Sequence, residues 1–211
     1  MAALAQDLIH KANILLQDVD NVRWSQSELL DWLNEAQLAT INLIPSAYSE
    51  HRDFPLEPGT RQVLPDDTVR LLDVIRNTDG YYDTAVRVVD RMDLDTQVPG
   101  WHTHKPHKVV QHYVYDTASL EYFYIYPPQP VDPLYRGSVE ILIGVIPPVL
   151  EDVGDYITLK DYYVPALVNY MVYRAYAKDS DSSPNNDLKT QYYDQYLSSL
   201  GMQTQANTSA A

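Results

Sequence analysis

Three histidines lie close together in the segment WHTHKPHK, residues 101–108, and imidazole is the most common metal ligand in proteins. His102 and His104 share one face if the chain is extended there, and His107 is near them in sequence. A metal centre needs three or four convergent ligands, whereas Pro106 bends this segment and no H-E-x-x-H motif is present. We therefore interpret the cluster as a solvated or pH-responsive loop, and we expect no metal and no other cofactor.

Carboxylates could supply acid–base chemistry, for example in the segment DRMDLD, residues 90–95. A glycosidase needs two carboxyl groups that face each other across a cleft, and a chain with 29 acidic residues contains close pairs by chance. The sequence has no G-x-S-x-G, P-loop or G-x-G-x-x-G motif. We predict a short helical turn at residues 90–95 and no enzymatic activity.

Tyrosine is concentrated in the stretch HYVYDTASLEYFYIY, residues 112–126, in a chain with eighteen tyrosines and two phenylalanines. Such rings can stack on sugars or on single-stranded nucleic acid. A nucleic-acid platform also carries Lys or Arg, and residues 109–135 contain neither. Tyrosine is equally favoured at protein–protein interfaces, which is the interpretation that we prefer. A carbohydrate-binding or cell-wall-degrading component that uses the tyrosine-rich sheet face stays open as the alternative.

The alternation of side chains along a strand predicts which of these rings face outward. Phe123, Ile125 and Val114 are expected to point into the core. The tyrosines expected to point outward are Tyr113, Tyr115, Tyr122, Tyr124 and Tyr126. The residues that we expect to contact neighbouring proteins are Trp101, Tyr122, Tyr124, Tyr126 and Tyr192.

The composition limits the partners that the protein can bind. With 29 acidic and 15 basic residues the chain has a net charge of −14, which opposes tight binding to nucleic-acid phosphates or to an anionic membrane. The same charge is compatible with a protein that sits near DNA without holding it, because like charges repel. The absence of cysteine excludes disulfides and thiol catalysis. No segment has the features of a signal peptide or a membrane span, so we expect the protein to be made in, and to remain in, the cytoplasm.

Hydrophobic periodicity predicts a pair of helices near the start of the chain. The apolar stripe of the first helix consists of Leu4, Leu8, Ala12, Leu15 and Val19. The second helix has Ser25 as its N-cap and Glu28 three residues later, which is a capping-box spacing. Pro45 ends this second helix.

A second pair of helices is predicted near the end of the chain. The third helix begins at Asp161, and the fourth begins at Ser183-Pro184 and ends at Gly201. The remaining segment, MQTQANTSAA, is small, polar and uncharged, so it is expected to be disordered when alone in water.

Between the helix pairs, turn residues separate short β-prone segments, from which we expect four to six strands in antiparallel order. The predicted strands lie in GTRQVLP, VRLLDVIRN, YYDTAVRVVD, VVQHYVY, EYFYIYP and SVEILIGVI. The second and third of these segments are expected to form a hairpin around Asp79-Gly80.

These elements predict an α+β fold: a four-helix bundle formed by the N- and C-terminal helix pairs, with an inserted antiparallel β-sheet region and an extended C-terminal tail. Each helix pair has one apolar stripe to bury, and packing the pairs on each other buries both stripes. The predicted divisions are residues 1–56 for the first helix pair, 57–150 for the β-rich region, 151–201 for the second helix pair and 202–211 for the tail.

Several segments, in this order and spacing, resemble the head-to-tail adaptor (connector) proteins of tailed bacteriophages, especially short-tailed ones. The matching segments are WSQSELLDWLNEAQ (24–37), GTRQVLPDDTVRLLDVIRN (59–77), VPGW (98–101), HYVYD (112–116), YFYIYPP (122–128) and YYVPALVNYMVYRAYAKDS (162–180). The resemblance therefore extends over nearly the whole chain.

The resemblance implies a structural virion protein located in the neck or tail of the particle. Such adaptors form a ring, usually of twelve subunits, beneath the portal protein; the ring extends the DNA channel used in ejection and gives the tail tube or nozzle a docking surface. In related adaptors a C-terminal segment docks into the portal. The matching residues here are Met202, Gln203, Thr204, Gln205, Ala206 and Asn207.

Overall fold

The computed structural model describes residues 3–78, 83–116, 118–179 and 183–201. The chain divides into two compact units. The helical unit comprises Met1–Leu43 and Pro147–Ala211, and the sheet unit comprises Ile44–Ile146. The sheet unit is therefore an insertion between two helical segments of the chain.

Both helices and strands are present, so the fold is of the mixed α and β type. The helices within the described ranges are α1 (Ala5–Leu16), α2 (Gln26–Leu43), α3 (Arg91–Gln97), α4 (Val164–Lys178) and α5 (Ser183–Ser199). The strands within the same ranges are β1 (Ser49–Pro55), β2 (Gly59–Val63), β3 (Thr68–Asn77), β4 (Arg87–Val88), β5 (His112–Val114), β6 (Tyr122–Gln129) and β7 (Ser138–Val145).

In the helical unit, helix α4 packs against helices from both ends of the chain. It packs against α1, α2 and α5, and it buries Leu167, Met171 and Ala175 almost completely. Pro165 lies in its first turn, where a missing N–H breaks no helical hydrogen bond. The helices that precede the inserted sheet unit therefore share a core with α4, which follows it.

The predicted apolar stripe of α1 is wrong at its C-terminal end. The helix ends at Leu16, and Gln17 adopts the left-handed conformation, so Val19 lies beyond the helix and is exposed. The buried face of α1 consists of Ala5, Leu8, Ile9, Ala12 and Asn13. The side-chain amide of buried Asn13 donates a hydrogen bond to Asn21 Oδ1 at 2.8 Å, a partner that periodicity does not reveal.

Of the two hydrogen bonds expected for a capping box at Ser25 and Glu28, the start of α2 contains one. The Glu28 N–H donates to Ser25 Oγ at 3.3 Å. The Glu28 carboxylate pairs with Lys178, at the end of α4. The ion pair with a distant helix takes the place of the second capping hydrogen bond that the sequence predicted.

The sheet unit contains two sheets. The first has the strand order β1-β7-β3 and is antiparallel throughout, and the second has the order β2-β6-β5-β4. In the second sheet β4 pairs with β5 in parallel, which corrects the prediction of purely antiparallel order. Both sheets contribute to one apolar core, in which Phe123 and Ile125 of β6 join Ile141 and Ile143 of β7.

Sequence reasoning missed β1 and overestimated β4. The β1 segment reads SEHRDFP. It is an edge strand whose residues alternate between exposed and half-buried positions, and its charged residues gave no hydrophobic pattern from which a strand could be predicted. The expected hairpin after β3 contains one antiparallel bridge, between Arg76 and Ala85, and β4 itself has two residues. The Asp79-Gly80 turn lies outside the described residues.

Candidate interaction surfaces

The tyrosine-bearing face of β6 is covered by another segment of the same unit. Trp101, which follows α3, is 1% exposed and forms a small core with Leu94 and Val114. Tyr124 and Tyr126 pack against this core and are half-buried. The rings predicted to face neighbouring proteins therefore have contacts within the chain.

The contacts that hold Trp101 in place are specific. Its ring lies perpendicular to that of Tyr124, with ring centres 6.0 Å apart, a favoured aromatic geometry. The His102 ring stacks on Trp101 at 3.7 Å between centres. The indole N–H of Trp101 donates to Asp95 Oδ1 at 2.9 Å, so the polar atom of this buried ring is also satisfied.

The three histidines of the 101–108 segment have three different partners. His102 Nδ1 lies 2.8 Å from the Thr60 hydroxyl, and His104 Nδ1 lies 3.2 Å from the Tyr126 hydroxyl. His107 Nδ1 accepts a hydrogen bond from the Val109 N–H at 3.0 Å. Within the part of the chain that the structure describes, no three His, Cys, Asp or Glu residues could together hold a metal ion.

Tyr113 points into the main core, which corrects its predicted outward position. It is paired directly with Ile125 on β6, and directly paired residues of neighbouring strands share a face. Its hydroxyl donates to Asp73 Oδ1 at 2.9 Å, and burial, together with this carboxylate, raises the pKa of Tyr113. Val114 accordingly faces Trp101 and not the main core.

Tyr192 lies in a group of tyrosines between α4 and α5. Its ring stacks on that of Tyr176, with the ring centres 5.8 Å apart and the planes at 17°. Burial raises the pKa of Tyr192, and the nearby Tyr196 is 1% exposed. The tyrosines of α5 therefore stabilise the helical unit, and Tyr192 keeps only part of its surface exposed.

A surface that sequence reasoning missed is the connection between β6 and β7. We call residues 130–136, with the sequence PVDPLYR, the apolar loop. Val131 is 81% exposed, Leu134 is 82% exposed and Tyr135 is 64% exposed. Its Asp-Pro pair is a turn signal, and apolar residues on both sides of such a turn could have drawn attention to it.

The apolar loop is held in one conformation by hydrogen bonds at both ends. Asp132 Oδ1 accepts from the Leu134 N–H at 3.0 Å, which caps a short 3-10 turn. Buried Gln129 accepts from the Gly137 N–H at 2.8 Å, and Arg136 pairs with Glu57 at 3.0 Å. The exposed side chains are therefore presented on a preorganised turn.

Gly137 is required at the end of the apolar loop because the chain approaches another segment closely there. A Cβ atom at Gly137 would lie 2.4 Å from the Lys108 carbonyl oxygen. Buried Gln129 also donates to the carbonyl oxygens of His107 and Lys108, at 2.9 and 3.2 Å. The 107–108 segment thus lies beside the apolar loop.

A recess of about 370 Å³ lies at the other end of β6. Its apolar lining includes Val63, Pro65 and Leu120, and Val63 and Leu120 are exposed. Asp66 and Glu121 supply negative charge to the same lining. The Leu64 N–H donates to the Glu121 carbonyl oxygen at 2.8 Å, which holds the two sides of the recess together.

Comparison with known proteins identifies the family. Residues 3–211 match the family described as SU10 adaptor protein, a match that covers almost the whole chain. The chain belongs to the SU10 adaptor protein family. This is a phage head-to-tail adaptor family, in agreement with the resemblance found in the sequence.

Membership of the SU10 adaptor protein family makes the chain a bacteriophage adaptor of the structural, non-enzymatic kind. It also implies contacts with portal and tail proteins and a place in the neck of the virion. No curated protein matches the chain. Among the described residues, none of the helices has the length and apolar character needed to cross a membrane.

The six residues predicted to bind the portal lie outside the described residues. They are Met202, Gln203, Thr204, Gln205, Ala206 and Asn207. Helix α5 ends at Ser199, and Gly201 follows with a φ of +75°, a conformation that glycine adopts without strain. The predicted stop at Gly201 is therefore confirmed.

Proposed function

We propose that this adaptor assembles as a ring of about twelve copies beneath the portal, extends the DNA channel, and provides the surface to which the tail tube or nozzle attaches. The family match over residues 3–211 is the observation that carries this proposal. The four helices of the two chain ends are proposed to form one bundle that carries the sheet unit. In this arrangement the protein performs no chemistry, and its function lies in its contacts.

The charge of the chain supports passage of DNA without binding. Each copy carries a net charge of −14, so a ring would concentrate negative charge around the channel. Phosphates of the genome would be repelled by that field, which lets the DNA slide during ejection. Electrophoretic mobility shift with double-stranded DNA should therefore detect no complex at physiological salt.

We also propose that the tail, residues 202–211, attaches the adaptor to the portal. Its small, polar composition suits a segment that gains structure on a partner, because the entropy lost on ordering is offset by contacts made there. The free protein is then a monomer, and the ring forms on the portal. Size-exclusion chromatography with light scattering should report about one chain mass without portal and a large complex with it.

Deletion of residues 202–211 tests the attachment. The truncated chain should remain folded and monomeric but should fail to elute with the portal. A matched control replaces the same ten residues with a Gly/Ser segment of equal length; it should fail in the same way if side chains of the tail make the contact. Portal binding by the truncated chain at full strength would exclude the tail as the anchor, and a dodecamer of the free wild-type chain would exclude portal-dependent assembly.

The carbohydrate-binding alternative requires an open aromatic face. In the sheet unit that face is occupied by Trp101 and its neighbours, which pack on Tyr124 and Tyr126. A glycan array and a cell-wall zymogram provide the direct test, and we expect both to be negative.

A further inference from the structure

We propose that a pocket beside strand β3 binds a carboxylate group, and that this carboxylate belongs to a glutamate or aspartate side chain of a neighbouring protein in the neck. We call it the arginine pocket, and its volume is about 340 Å³. Its lining includes Pro45, Arg70, Leu71, Leu72, Val88 and Tyr115. The source of the carboxylate rests on the proposed function, whereas the pocket itself does not.

The arginine pocket lies where the edge strand β3 has no neighbouring strand on its outer side. β3 is the last strand of the first sheet and pairs with β7 on its inner side. Near its C-terminal end the Val86 N–H donates to the Ile75 carbonyl oxygen at 3.1 Å. Within the described residues this outer pairing does not continue along residues 70–72, and the pocket opens there.

The irregularity of β3 decides what kind of group can enter the opening. The register between β3 and β7 shifts at three places, and such bulges bend and twist a strand. A bulged edge is a poor template for another strand. The opening therefore suits a single side chain better than an added strand.

Arg70 has no acidic partner, in contrast to most arginines of the described chain. A carboxylate lies within 3.6 Å of six others, namely Arg23, Arg52, Arg76, Arg91, Arg136 and Arg174. Arg70 is half-buried, yet no described residue forms a hydrogen bond or an ion pair with it. Its guanidinium group is therefore available to an anion from another molecule.

The Tyr115 hydroxyl is a second unused donor in the arginine pocket. It is enclosed by protein atoms and has no hydrogen-bond partner among the described residues. Burial raises the pKa of Tyr115, while the Leu71 N–H and the charge of Arg70 oppose this rise, which places both groups near the hydroxyl oxygen. The hydroxyl therefore keeps its proton, and an acceptor that entered beside Arg70 would satisfy it.

The chemistry of the lining defines the class of ligand. Its unused polar groups are donors, and no acidic residue lines the pocket. Asp73, which follows β3 residues of the lining, is exposed and accepts from the Tyr113 hydroxyl at 2.9 Å. Arginine binds carboxylates in a bidentate geometry, and Leu72 and Val88 offer apolar surface to the methylene groups of an acidic side chain. A polyanion such as DNA is opposed by the net charge of −14.

The openness of the pocket favours a protein side chain over a free small acid. Val88 in its wall is 67% exposed, so the pocket is open to the surface. Sites for small molecules usually bury most of the ligand, whereas one side chain that enters from an adjoining surface needs only partial enclosure. Arginine is also enriched where proteins meet. We therefore assign the carboxylate to a partner protein.

Nuclear magnetic resonance titration of the free, isotope-labelled chain tests the pocket directly. The probe is a single glutamate residue capped as its N-acetyl N-methylamide, and the backbone amide signals of Arg70, Leu71 and Tyr115 are followed. We expect saturable shifts with a Kd on the order of 10 mM, because one side chain supplies only part of an interface. Capped glutamine, which has the same shape without the charge, and inorganic phosphate should each bind at least about tenfold more weakly.

Two arginine variants separate the pocket from a general effect of charge. Arg70→Gln should abolish the shifts at Leu71 and Tyr115. Arg87→Gln is the matched control and should leave them unchanged, because Arg87 is also unpaired among the described residues but does not line the pocket. Arg70→Gln should keep the melting temperature within about 2 °C of wild type, since no contact within the chain is lost.

Assembly with the cognate portal tests the source of the carboxylate. If a partner protein supplies it, Arg70→Gln should decrease the amount of portal-bound adaptor about tenfold or more. Arg87→Gln should assemble as wild type does. Tyr115→Phe removes only the hydroxyl and should cause a smaller decrease than Arg70→Gln.

The outcomes separate the pocket from the proposed function. The absence of saturable shifts, or equal binding of capped glutamate and capped glutamine, overturns the carboxylate pocket. Carboxylate binding together with normal assembly of Arg70→Gln overturns the partner protein as the source and assigns the pocket to a free small acid. Failure of the wild-type chain to assemble on the portal overturns the proposed function, while the titration still decides the pocket.

Discussion

Two surfaces of the sheet unit, the tyrosine face of β6 and the apolar loop that follows it, differ in how far their own chain covers them. The tyrosine face is rich in aromatic residues, yet Trp101 and the segment around it cover Tyr124 and Tyr126. The apolar loop has one aromatic residue, Tyr135. In the described part of the chain nothing covers this loop: its Leu134 side chain is 82% exposed. The richer aromatic composition of β6 therefore does not correspond to greater exposure of its side chains.

The two surfaces differ in exposure because a neighbouring segment packs on one of them and not on the other. Tyr124 and Tyr126 are on the face of the sheet where α3 and the following turn pack, so their rings contribute to folding. The Tyr122 ring contacts Tyr124 and Arg61. The apolar loop extends past the end of that strand and is closed by its own hydrogen bonds. A ring that is used inside the chain stabilises the unit, and an exposed apolar residue on a fixed turn is available to a neighbour.

The largest expected effect is on Trp101. Replacing a buried Trp by Ala leaves a cavity, so Trp101→Ala should lower the free energy of unfolding of the sheet unit by about 3–5 kcal/mol. Denaturant unfolding followed by far-ultraviolet circular dichroism measures this. Trp101→Phe keeps most of the ring contacts and should cost clearly less. Equal stability of Trp101→Ala and wild type would mean that the tyrosine face is uncovered in solution.

A smaller loss of stability is expected at Tyr113, on the opposite side of β5. Tyr113→Phe removes the hydroxyl that donates to Asp73, and the free energy of unfolding should fall by about 1 kcal/mol, since exposed Asp73 can bind water instead. The same denaturant titration applies. Asp73→Asn retains an acceptor oxygen and should cost less than Tyr113→Phe; the reverse order would argue against this hydrogen bond.

A loop of the helical unit, residues 17–24, is closed by an aspartate as the apolar loop is, and its expected effect depends on pH. Asp18 accepts hydrogen bonds from the N–H groups of Trp24, Val22 and Arg23, and these lower the pKa of its carboxyl below the usual 3.8. Its contribution to stability is therefore complete above that value and is lost as the pH falls through the folded-state pKa.

Acid unfolding of Asp18→Asn measures this contribution. We expect the wild type to lose stability more steeply than the variant below about pH 4, because only the wild type has this carboxylate to protonate. Asp20→Asn, which changes the same charge in the same loop, is the control and should follow the wild type. Parallel acid titrations of Asp18→Asn and wild type would show that the Asp18 carboxylate makes no such contribution.

The smallest expected effect is on Leu134 in the free chain. Because this side chain has little buried surface, Leu134→Ser should change the free energy of unfolding by less than about 0.5 kcal/mol. Thermal unfolding of the monomer checks this. A large destabilisation would place the leucine inside the unit and would remove the distinction between the two surfaces.

The sequence predicted the elements better than it predicted their partners. Alternation correctly placed Phe123 and Ile125 in the core, and Ser25 was correctly identified as a cap. Tyr113 was placed on the wrong face because alternation within β5 does not specify which face of β6 it joins; the pairing of Tyr113 with Ile125 decides that. Periodicity likewise gave no sign that the segment after α3 would pack Trp101 against Tyr124 of β6.

The candidate contact surface was the least predictable feature. The apolar residues around Asp132-Pro133 form no periodic pattern, and their exposure depends on hydrogen bonds from Gln129 and Asp132 that only the fold brings into place. Strand β1 was missed for a related reason, since its charged side chains are explained by its position at a sheet edge. Family resemblance, in contrast, was readable from the order of segments along the whole chain.

Electron cryomicroscopy of the purified chain mixed with its cognate portal is the decisive test of ring assembly on the portal. We predict a closed ring of this chain on the tail-facing side of the portal, with lateral contact between adjacent copies. Images of bare portals, or of the chain bound as isolated copies without lateral contact, would contradict it.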